Sequence, residues 1–277
     1  MLPQLKLYET PDDIKYVLFE QSDIISDEIR KNGNWNIAGL ELCDKILSNS
    51  DGGRVLDIGA GFGTFSIPLA IKHGQKFIFS AFEPLTVINQ QLNANILLNS
   101  LDNIRAYPFG ISDKNELIDA PILDVHYSNN HGSYSFDAKI NAFREIPNFD
   151  NNEVYEFRTL DSFRFANVKL IKISTPGMEL KVLQSASKTL ENNNSPPVLF
   201  EAWTNDWYKE ERIKVMDFFA SRAYEHYVIL GEHVVAFKTK AQHDIILNST
   251  PTTKIASFSV SEQSHDLTHV LNSQKAL

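Results

Sequence analysis

Val55-Leu56-Asp57-Ile58-Gly59-Ala60-Gly61-Phe62-Gly63 is the stretch that decides the fold of this chain. A short apolar run, 54–58, leads directly into three alternating glycines, and 64–72 then has the composition of a helix. A glycine turn between a strand and a helix lets the backbone approach a ligand closely, because no Cβ intervenes. The stretch therefore predicts a ligand-binding loop at the start of an α/β fold.

The spacing of these glycines indicates the kind of ligand. A dinucleotide fingerprint reads G-x-G-x-x-G and holds a pyrophosphate at a helix N-terminus, whereas this loop reads G-x-G-x-G with a carboxylate, Asp57, before it. A carboxylate there suits a ligand with an ammonium and a sulfonium. Glu83 ends the next predicted strand, 20 residues after Gly63, where it can accept both ribose hydroxyls of a nucleoside. We therefore predict S-adenosylmethionine as the cofactor, bound by Asp57, Gly59, Gly61, Gly63 and Glu83, and disfavour a nicotinamide oxidoreductase.

Apolar runs continue to alternate with helical patterns after the loop. The predicted strands are 54–58, 77–82, 104–109, 168–173, 198–202, 227–230 and 234–237, and helices are predicted at 64–72, from Pro84, from Gly177 and at 213–219. Alternation implies parallel pairing with right-handed crossovers, while the last two strands read as a tight antiparallel pair. The fold class is thus α/β and Rossmann-like: a mostly parallel seven-stranded sheet with helices on both faces and a C-terminal antiparallel hairpin, as in class I methyltransferases.

Three segments flank or interrupt the cofactor-binding domain, which we place at 51–240. Residues 1–50 are predicted to be a helical segment, since Ile14, Val17 and Leu18 are followed by apolar residues at helical spacing from Ile37. Residues 121–152 are rich in Asn, His, Ser and Asp and are predicted to be a loop insertion that covers the acceptor site as a lid. Residues 241–277 are predicted to be an irregular tail.

The composition of the chain indicates which kinds of partner it binds and in which compartment of the cell we expect it. The chain of 277 residues has 35 acidic and 26 basic side chains, a net charge of −9, which disfavours nucleic acid as a partner. Cys43 is the only cysteine, so no internal disulfide can form. No N-terminal run has the apolar length of a signal peptide, and no stretch approaches a membrane span. We therefore expect a cytoplasmic protein with no membrane partner, while the oligomeric state stays open.

Several further stretches resemble the FkbM-type S-adenosylmethionine-dependent methyltransferases, over about residues 20–240. They are the glycine loop, Phe82-Glu83-Pro84, Gly110-Ile111-Ser112-Asp113, Thr159-Leu160-Asp161-Ser162-Phe163, the run from Leu170 to Leu183, and Phe200-Glu201. The run from Leu170 is the family-specific part. The resemblance implies O-methylation of a sugar or another small metabolite, and it implies a further cofactor contact at Asp113.

One departure from the family pattern concerns catalysis. The family usually has Lys-Ile-Asp-Val-Glu-Gly where this chain has Lys172-Ile173-Ser174-Thr175-Pro176-Gly177, so two carboxylates are missing at a strand end. Ser174 can still form hydrogen bonds but brings no charge. We take Glu201, His131 and Ser174 as the catalytic candidates, with Glu201 or His131 as the base, and expect no metal. The alternative is an inactive cofactor-binding or interaction module.

Overall fold

An eight-stranded sheet is the centre of the part that the structure, a computed structural model, describes: residues 4–20, 23–122, 134–137, 140–141 and 151–240, and the backbone of 256–259. The strands in chain order are β1 Leu5–Glu9, β2 Lys15–Phe19, β3 Gly53–Ile58, β4 Phe77–Phe82, β5 Ile104–Tyr107, β6 Gly110–Ile111, β7 Glu116–Pro121, β8 Asn152–Arg158, β9 Val168–Ile173, β10 Val198–Glu201, β11 His226–Leu230, β12 His233–Phe237 and β13 Ala256–Ser259. The central sheet has the order β13-β11-β12-β10-β9-β3-β4-β5.

Helices cover both faces of this sheet, as predicted. They are α1 Ile24–Asn32, α2 Ile37–Ser48, α3 Ser66–His73, α4 Thr86–Leu98, α5 Glu179–Ser185, α6 Ser187–Asn192 and α7 Lys209–Ala220. Successive residues of a strand point to opposite faces, and Val55 accordingly packs with α2, α3 and α4 whereas Leu56 packs with α5, α6 and α7. The apolar face predicted for the helix after Pro84 is buried in α4.

The point where the sheet changes direction lies between β3 and β9. β3 pairs in parallel with both β4 and β9, and the chain continues outward to β5 on one side and to β10 on the other. Open α/β sheets bind ligands outside the carboxyl ends of the strands at such a switch point. Ile58 and Ile173 end these two strands, so the glycine loop and Ser174 emerge side by side there.

The prediction of a helical N-terminal segment is wrong for residues 5–19. These residues form the antiparallel pair β1–β2, and helix begins only at Ile24. The outer edge of β2 is held by side chains. Amides of α4 bond to the backbone of Lys15 and Val17 through Asn99, Asn95 and Gln91, at 2.5–2.9 Å, and Arg30 donates to the carbonyl of Phe19. This long-range pairing overrides the apparent helical spacing of Val17 and Leu18.

Two further regions differ from the simple expectation. The tail predicted at 241–277 contributes β13, which pairs antiparallel with β11 and makes the sheet eight-stranded rather than seven-stranded. The 121–152 insertion emerges from a hairpin, since Pro121 at the end of β7 pairs with Asn152 at the start of β8. β8 also pairs with β6, forming a small second sheet. Across the residues described, no helix is long and apolar enough to cross a lipid bilayer.

Candidate functional site

The glycine loop is shaped by three left-handed residues with different surroundings. Gly59, Gly61 and Gly63 have φ of 75°, 54° and 98°, a conformation that side chains with a Cβ rarely adopt. A Cβ on Gly59 would lie 2.0 Å from the carbonyl oxygen of Ser174, so this glycine permits close packing of two strand ends. A Cβ added to Gly61 would meet no neighbouring atom within 4 Å. Gly61 is therefore where the loop backbone can approach a ligand.

Asp57 lies beneath the loop rather than at its mouth. Its side chain is completely buried, and Oδ2 accepts a hydrogen bond from Ser66 Oγ at 2.6 Å. Lys172 Nζ lies 3.0 Å from Asp57 Oδ1 and donates to the carbonyl oxygen of Gly59 at 2.6 Å. Because a buried carboxylate is costly unless it is paired, we infer that Asp57 and Lys172 together hold the loop backbone.

Glu83 lines a cleft, which we call the Glu83 cleft. The ends of β3 and β4, β6, Phe157, the 174–178 turn and residues 134–136 line it. Glu83 Oε1 accepts from the backbone N–H of Leu85, and Oε2 from that of Gly61, both at 3.0 Å. Burial raises the pKa of Glu83 to about 7, against the opposing effect of these two hydrogen bonds and of Lys172. Each oxygen keeps a further lone pair for a hydroxyl donor.

Aromatic side chains form the wall of the Glu83 cleft opposite the glycine loop. Phe109, Tyr134, Phe136 and Phe157 line it, and Phe136 packs edge-to-face on Phe157, with ring centroids 4.8 Å apart. Ser135 Oγ donates to the carbonyl oxygen of Pro176 at 2.6 Å, which ties residues 134–136 to the turn after β9. Residues 134–136 of the predicted insertion thus line the Glu83 cleft. Tyr127 and His131 fall outside the described residues.

A second cleft adjoins the glycine loop. We call it the His233 cleft. Trp35 and other residues of α1, α2 and their junction line it, together with the glycine loop, Lys172, Ser174 and His233. Gly59 and Ser174 line both clefts. The two clefts therefore adjoin at the switch point of the sheet.

Polar side chains from three neighbouring strands converge where the clefts adjoin. Ser174 Oγ donates to Glu201 Oε1 at 2.8 Å, Trp203 Nε1 donates to Glu201 Oε2 at 3.1 Å, and His233 Nε2 lies 3.7 Å from Glu201 Oε1. Burial raises the pKa of Glu201, but His233, Ser174 and Lys172 outweigh it, and the pKa lies below its usual value. Glu201 is therefore ionised at neutral pH.

A family model, "Methyltransferase FkbM domain", matches residues 57–226, which include the glycine loop, Glu83, Ser174 and Glu201. The chain belongs to the FkbM methyltransferase family. The resemblance noted in the sequence is confirmed.

The chain is also similar to individual proteins. A Shewanella frigidimarina protein, the 23S rRNA (uracil(1939)-C(5))-methyltransferase RlmD, is 32% identical over 84 residues, 30% of this chain and 18% of the relative. A Methylobacillus flagellatus FkbM methyltransferase structure is 14% identical with a TM-score of 0.47, over 68% of this chain and 44% of that chain. A Geobacter metallireducens precorrin-6y C5,15-methyltransferase is 12% identical with a TM-score of 0.47, over 79% and 100%. The chain thus spans less than half the length of the first two.

The predicted site residues of the FkbM methyltransferase fall into distinct places. Gly59, Gly61 and Glu83 line the clefts, and Ser174 and Glu201 are hydrogen-bonded to each other. Gly63 packs against Ile67 and Leu92 of the protein itself. Asp113 is exposed and accepts a hydrogen bond from Ser112, and it is not among the described residues that line the Glu83 cleft.

Two residues of the site were missed in the sequence. Lys172 stands in the family-specific run, but its pairing with the buried Asp57 became evident only in the structure. His233 was read as part of a turn, although it begins β12 and lies opposite Glu201 in the antiparallel register. A histidine two residues after the turn glycine, Gly231, of a strand-end hairpin was the available signal.

Proposed function

We propose that this FkbM methyltransferase transfers the methyl group of S-adenosylmethionine to a hydroxyl of a small-molecule or carbohydrate acceptor. The observation that carries the proposal is the junction of the two clefts. Glu83, whose carboxylate can accept hydrogen bonds from ribose hydroxyls, lines one cleft. His233 lines the other cleft, and the carboxylate of Glu201 lies beside it. Such an arrangement supplies a cofactor site and, beside it, groups that can accept the proton of an acceptor hydroxyl.

The residues of the Glu83 cleft fit the adenosine part of the cofactor. We assign the two ribose hydroxyls to the Glu83 carboxylate, whose oxygens each retain a lone pair beyond the bonds to Gly61 and Leu85. Phe109 and Phe136 offer aromatic surface for a base. Gly61, which lines the adjoining His233 cleft, leaves room for close approach of the ligand. When bound, the cofactor supplies an already activated methyl group, so much of the catalysis can come from positioning.

The acceptor side favours direct transfer to oxygen. Glu201, with Ser174 and His233 on its carboxylate, is a polar group that can orient a hydroxyl. A covalent mechanism would need a cysteine thiolate in one of the clefts. The single cysteine, Cys43, is instead completely buried in the core, and burial raises the pKa of its thiol. His131 lies outside the described residues and stays a second candidate base.

Charge supports a small acceptor over nucleic acid. A protein that binds a polyanion gains affinity from phosphate contacts by Lys and Arg, and this chain has a net charge of −9. Ionised Glu201 at the cleft junction would also repel a phosphate group placed there. We therefore extend the family assignment to a neutral hydroxyl acceptor.

A non-catalytic role is the second candidate, and the sequence of the 174–176 turn favours it. Ser174 and Pro176 replace two carboxylates of the family pattern, and the Pro176 carbonyl is taken up by Ser135. In such a module the cofactor would bind without turnover. The hydroxyl of Ser174 is still bonded to Glu201, so the junction keeps one carboxylate.

The test is methyl transfer from S-adenosylmethionine labelled in the methyl group, with the full chain. One arm offers a panel of monosaccharides, sugar nucleotides and small alcohols and phenols, and another offers total RNA. Glu83→Ala is the matched negative control. We expect label in a hydroxyl-bearing small molecule. Label in RNA would overturn the acceptor class, and calorimetric binding of the cofactor with no turnover in either arm would support the inactive module.

A further inference from the structure

The contact between Glu201 and His233 is built into the sheet. β10 and β12 are antiparallel neighbours, and Glu201 and His233 are directly opposed residues in their register. Side chains of such a pair stand on the same face, with Cβ atoms about 4.5–5.5 Å apart. Ser174 follows β9, the next strand on the other side of β10, and bonds to the same Glu201 oxygen that His233 approaches. Three adjacent strand ends therefore fix this arrangement.

Glu201 is poorly suited to accept a proton itself. Both of its oxygens already accept hydrogen bonds, from Ser174 and from Trp203. Its pKa lies below the usual value, because the effects of His233, Ser174 and Lys172 outweigh that of burial. A general base is most effective when its pKa is near the operating pH. These features are those of a carboxylate that orients another group.

His233 has the properties that Glu201 lacks. Its side chain is 24% exposed, against 14% for Glu201, and it lines the His233 cleft with Ser174 and Gly59. Imidazole is the side chain whose charge ordinarily changes between pH 5 and 8. A carboxylate beside one ring nitrogen selects the tautomer and stabilises the imidazolium that forms, while the second nitrogen accepts the proton.

We propose that His233 is the proton acceptor for the acceptor hydroxyl and that Glu201 is its positioning residue, a proposal that rests on the proposed function. As the acceptor oxygen forms its bond to the methyl carbon, the carbon–sulfur bond breaks and its electron pair stays on sulfur. The hydroxyl proton passes to the His233 nitrogen that does not face Glu201. The resulting imidazolium is paired with the Glu201 carboxylate.

Two charged groups lie on the strands beside His233. Glu201 on β10 is directly opposed to it, and Lys172 on β9 lines the same cleft and is itself paired with Asp57. Glu232, the preceding residue, accepts a hydrogen bond from Thr204. Glu201 is therefore the carboxylate that can select the tautomer of the His233 ring, and Glu201→Gln should remove that selection.

Nuclear magnetic resonance of protein labelled at the histidine ring nitrogens tests this pairing without requiring turnover, because the ring-nitrogen shifts report the tautomer. His233→Gln assigns the resonance, and His226, on β11 of the same hairpin and not among the residues that line the His233 cleft, is the internal control. We expect a single His233 tautomer in the wild type, with the hydrogen on the nitrogen that faces Glu201, and a mixture of tautomers in Glu201→Gln, with His226 unchanged. A His233 tautomer that is the same in the wild type and in Glu201→Gln overturns the proposal.

A kinetic arm uses the acceptor identified by the methyl-transfer panel. His233→Gln should lower kcat by about 100-fold or more, the range for general base catalysis, with cofactor affinity retained, and His226→Gln should keep wild-type kcat. Wild-type kcat in His233→Gln would overturn the proposal even with an active enzyme. If the panel finds no acceptor, the proposed function fails, while the tautomer measurement still decides whether Glu201 positions the His233 ring.

Discussion

Protonation of Glu83 should control the affinity for the cofactor. Burial raises the pKa of this carboxyl to about 7, and only the ionised form can accept two ribose hydroxyls. Above pH 7 the carboxylate is already ionised, so the affinity should be constant. Below pH 7 binding must first remove a proton, so Kd should rise by about tenfold for each pH unit, in line with one linked proton.

The magnitude for Glu83→Ala follows from the bonds that disappear. A hydrogen bond to a charged group contributes about 1.5–3 kcal/mol, and each 1.4 kcal/mol is a factor of ten in Kd. Loss of even one ribose contact should therefore weaken binding by roughly 10- to 100-fold at pH 8. The variant also releases the N–H groups of Gly61 and Leu85, which Glu83 holds at 3.0 Å each. Its affinity should no longer depend on pH between 5 and 8.

Isothermal calorimetry with S-adenosylhomocysteine from pH 5 to pH 8 measures both effects. Glu153→Ala is the matched control, because that carboxylate accepts a hydrogen bond from Thr86 at the surface. The control should bind like the wild type at every pH. A wild-type affinity that does not change across this range, or a Glu83→Ala variant that keeps the pH dependence, would refute the assignment of Glu83 to the ribose.

Five further substitutions distinguish residues that stabilise the fold from residues that bind the cofactor. Gly61→Ala should cost about 1–2 kcal/mol of stability for its left-handed backbone, whereas Gly59→Ala should cost clearly more, since its Cβ would lie 2.0 Å from a carbonyl oxygen; thermal unfolding ranks the two. Lys172→Met should destabilise by about 3–5 kcal/mol in urea by stranding a buried carboxylate, and Lys169→Met, whose partner Asp51 is 84% exposed, should change little. Asp113→Asn should leave cofactor affinity within about twofold, because the side chain is exposed outside the cleft; a tenfold loss by calorimetry would return Asp113 to the cofactor site.

The central strands could be predicted because their own sequence is typical of a buried strand. The runs 77–82 and 168–173 are apolar on both faces, as strands buried between two helix layers must be, and the structure has them at those bounds. The N-terminal hairpin could not be predicted in this way. Val17 and Leu18 fit a helical spacing, and only the partners of β2, which come from β1 and from side chains 78 and 84 residues away, decide for a strand.

Site residues that can be recognised from a single strand or loop could be predicted from the sequence. Glu83 follows from its distance to the glycine loop along the chain, and the structure places it at the cleft. Glu201 was predicted at a strand end, but its partner His233 lies 32 residues further on and meets it only through the antiparallel register of β10 and β12. Asp57 was expected to face the ligand, and the lysine that turns it inward stands 115 residues away.

The amides that hold the edge of β2 also bear on how the protein behaves at high concentration. An open strand edge is a template on which another chain can add a strand and start aggregation. Here the outward backbone groups of Lys15 and Val17 are already occupied by Asn99, Asn95 and Gln91. Because these amides belong to α4 and to its C-cap residue Asn99, the β2 edge is capped without offering a further strand edge. Asparagine and glutamine thus close the β2 edge to strand addition, a task that many sheets leave to charged residues or proline.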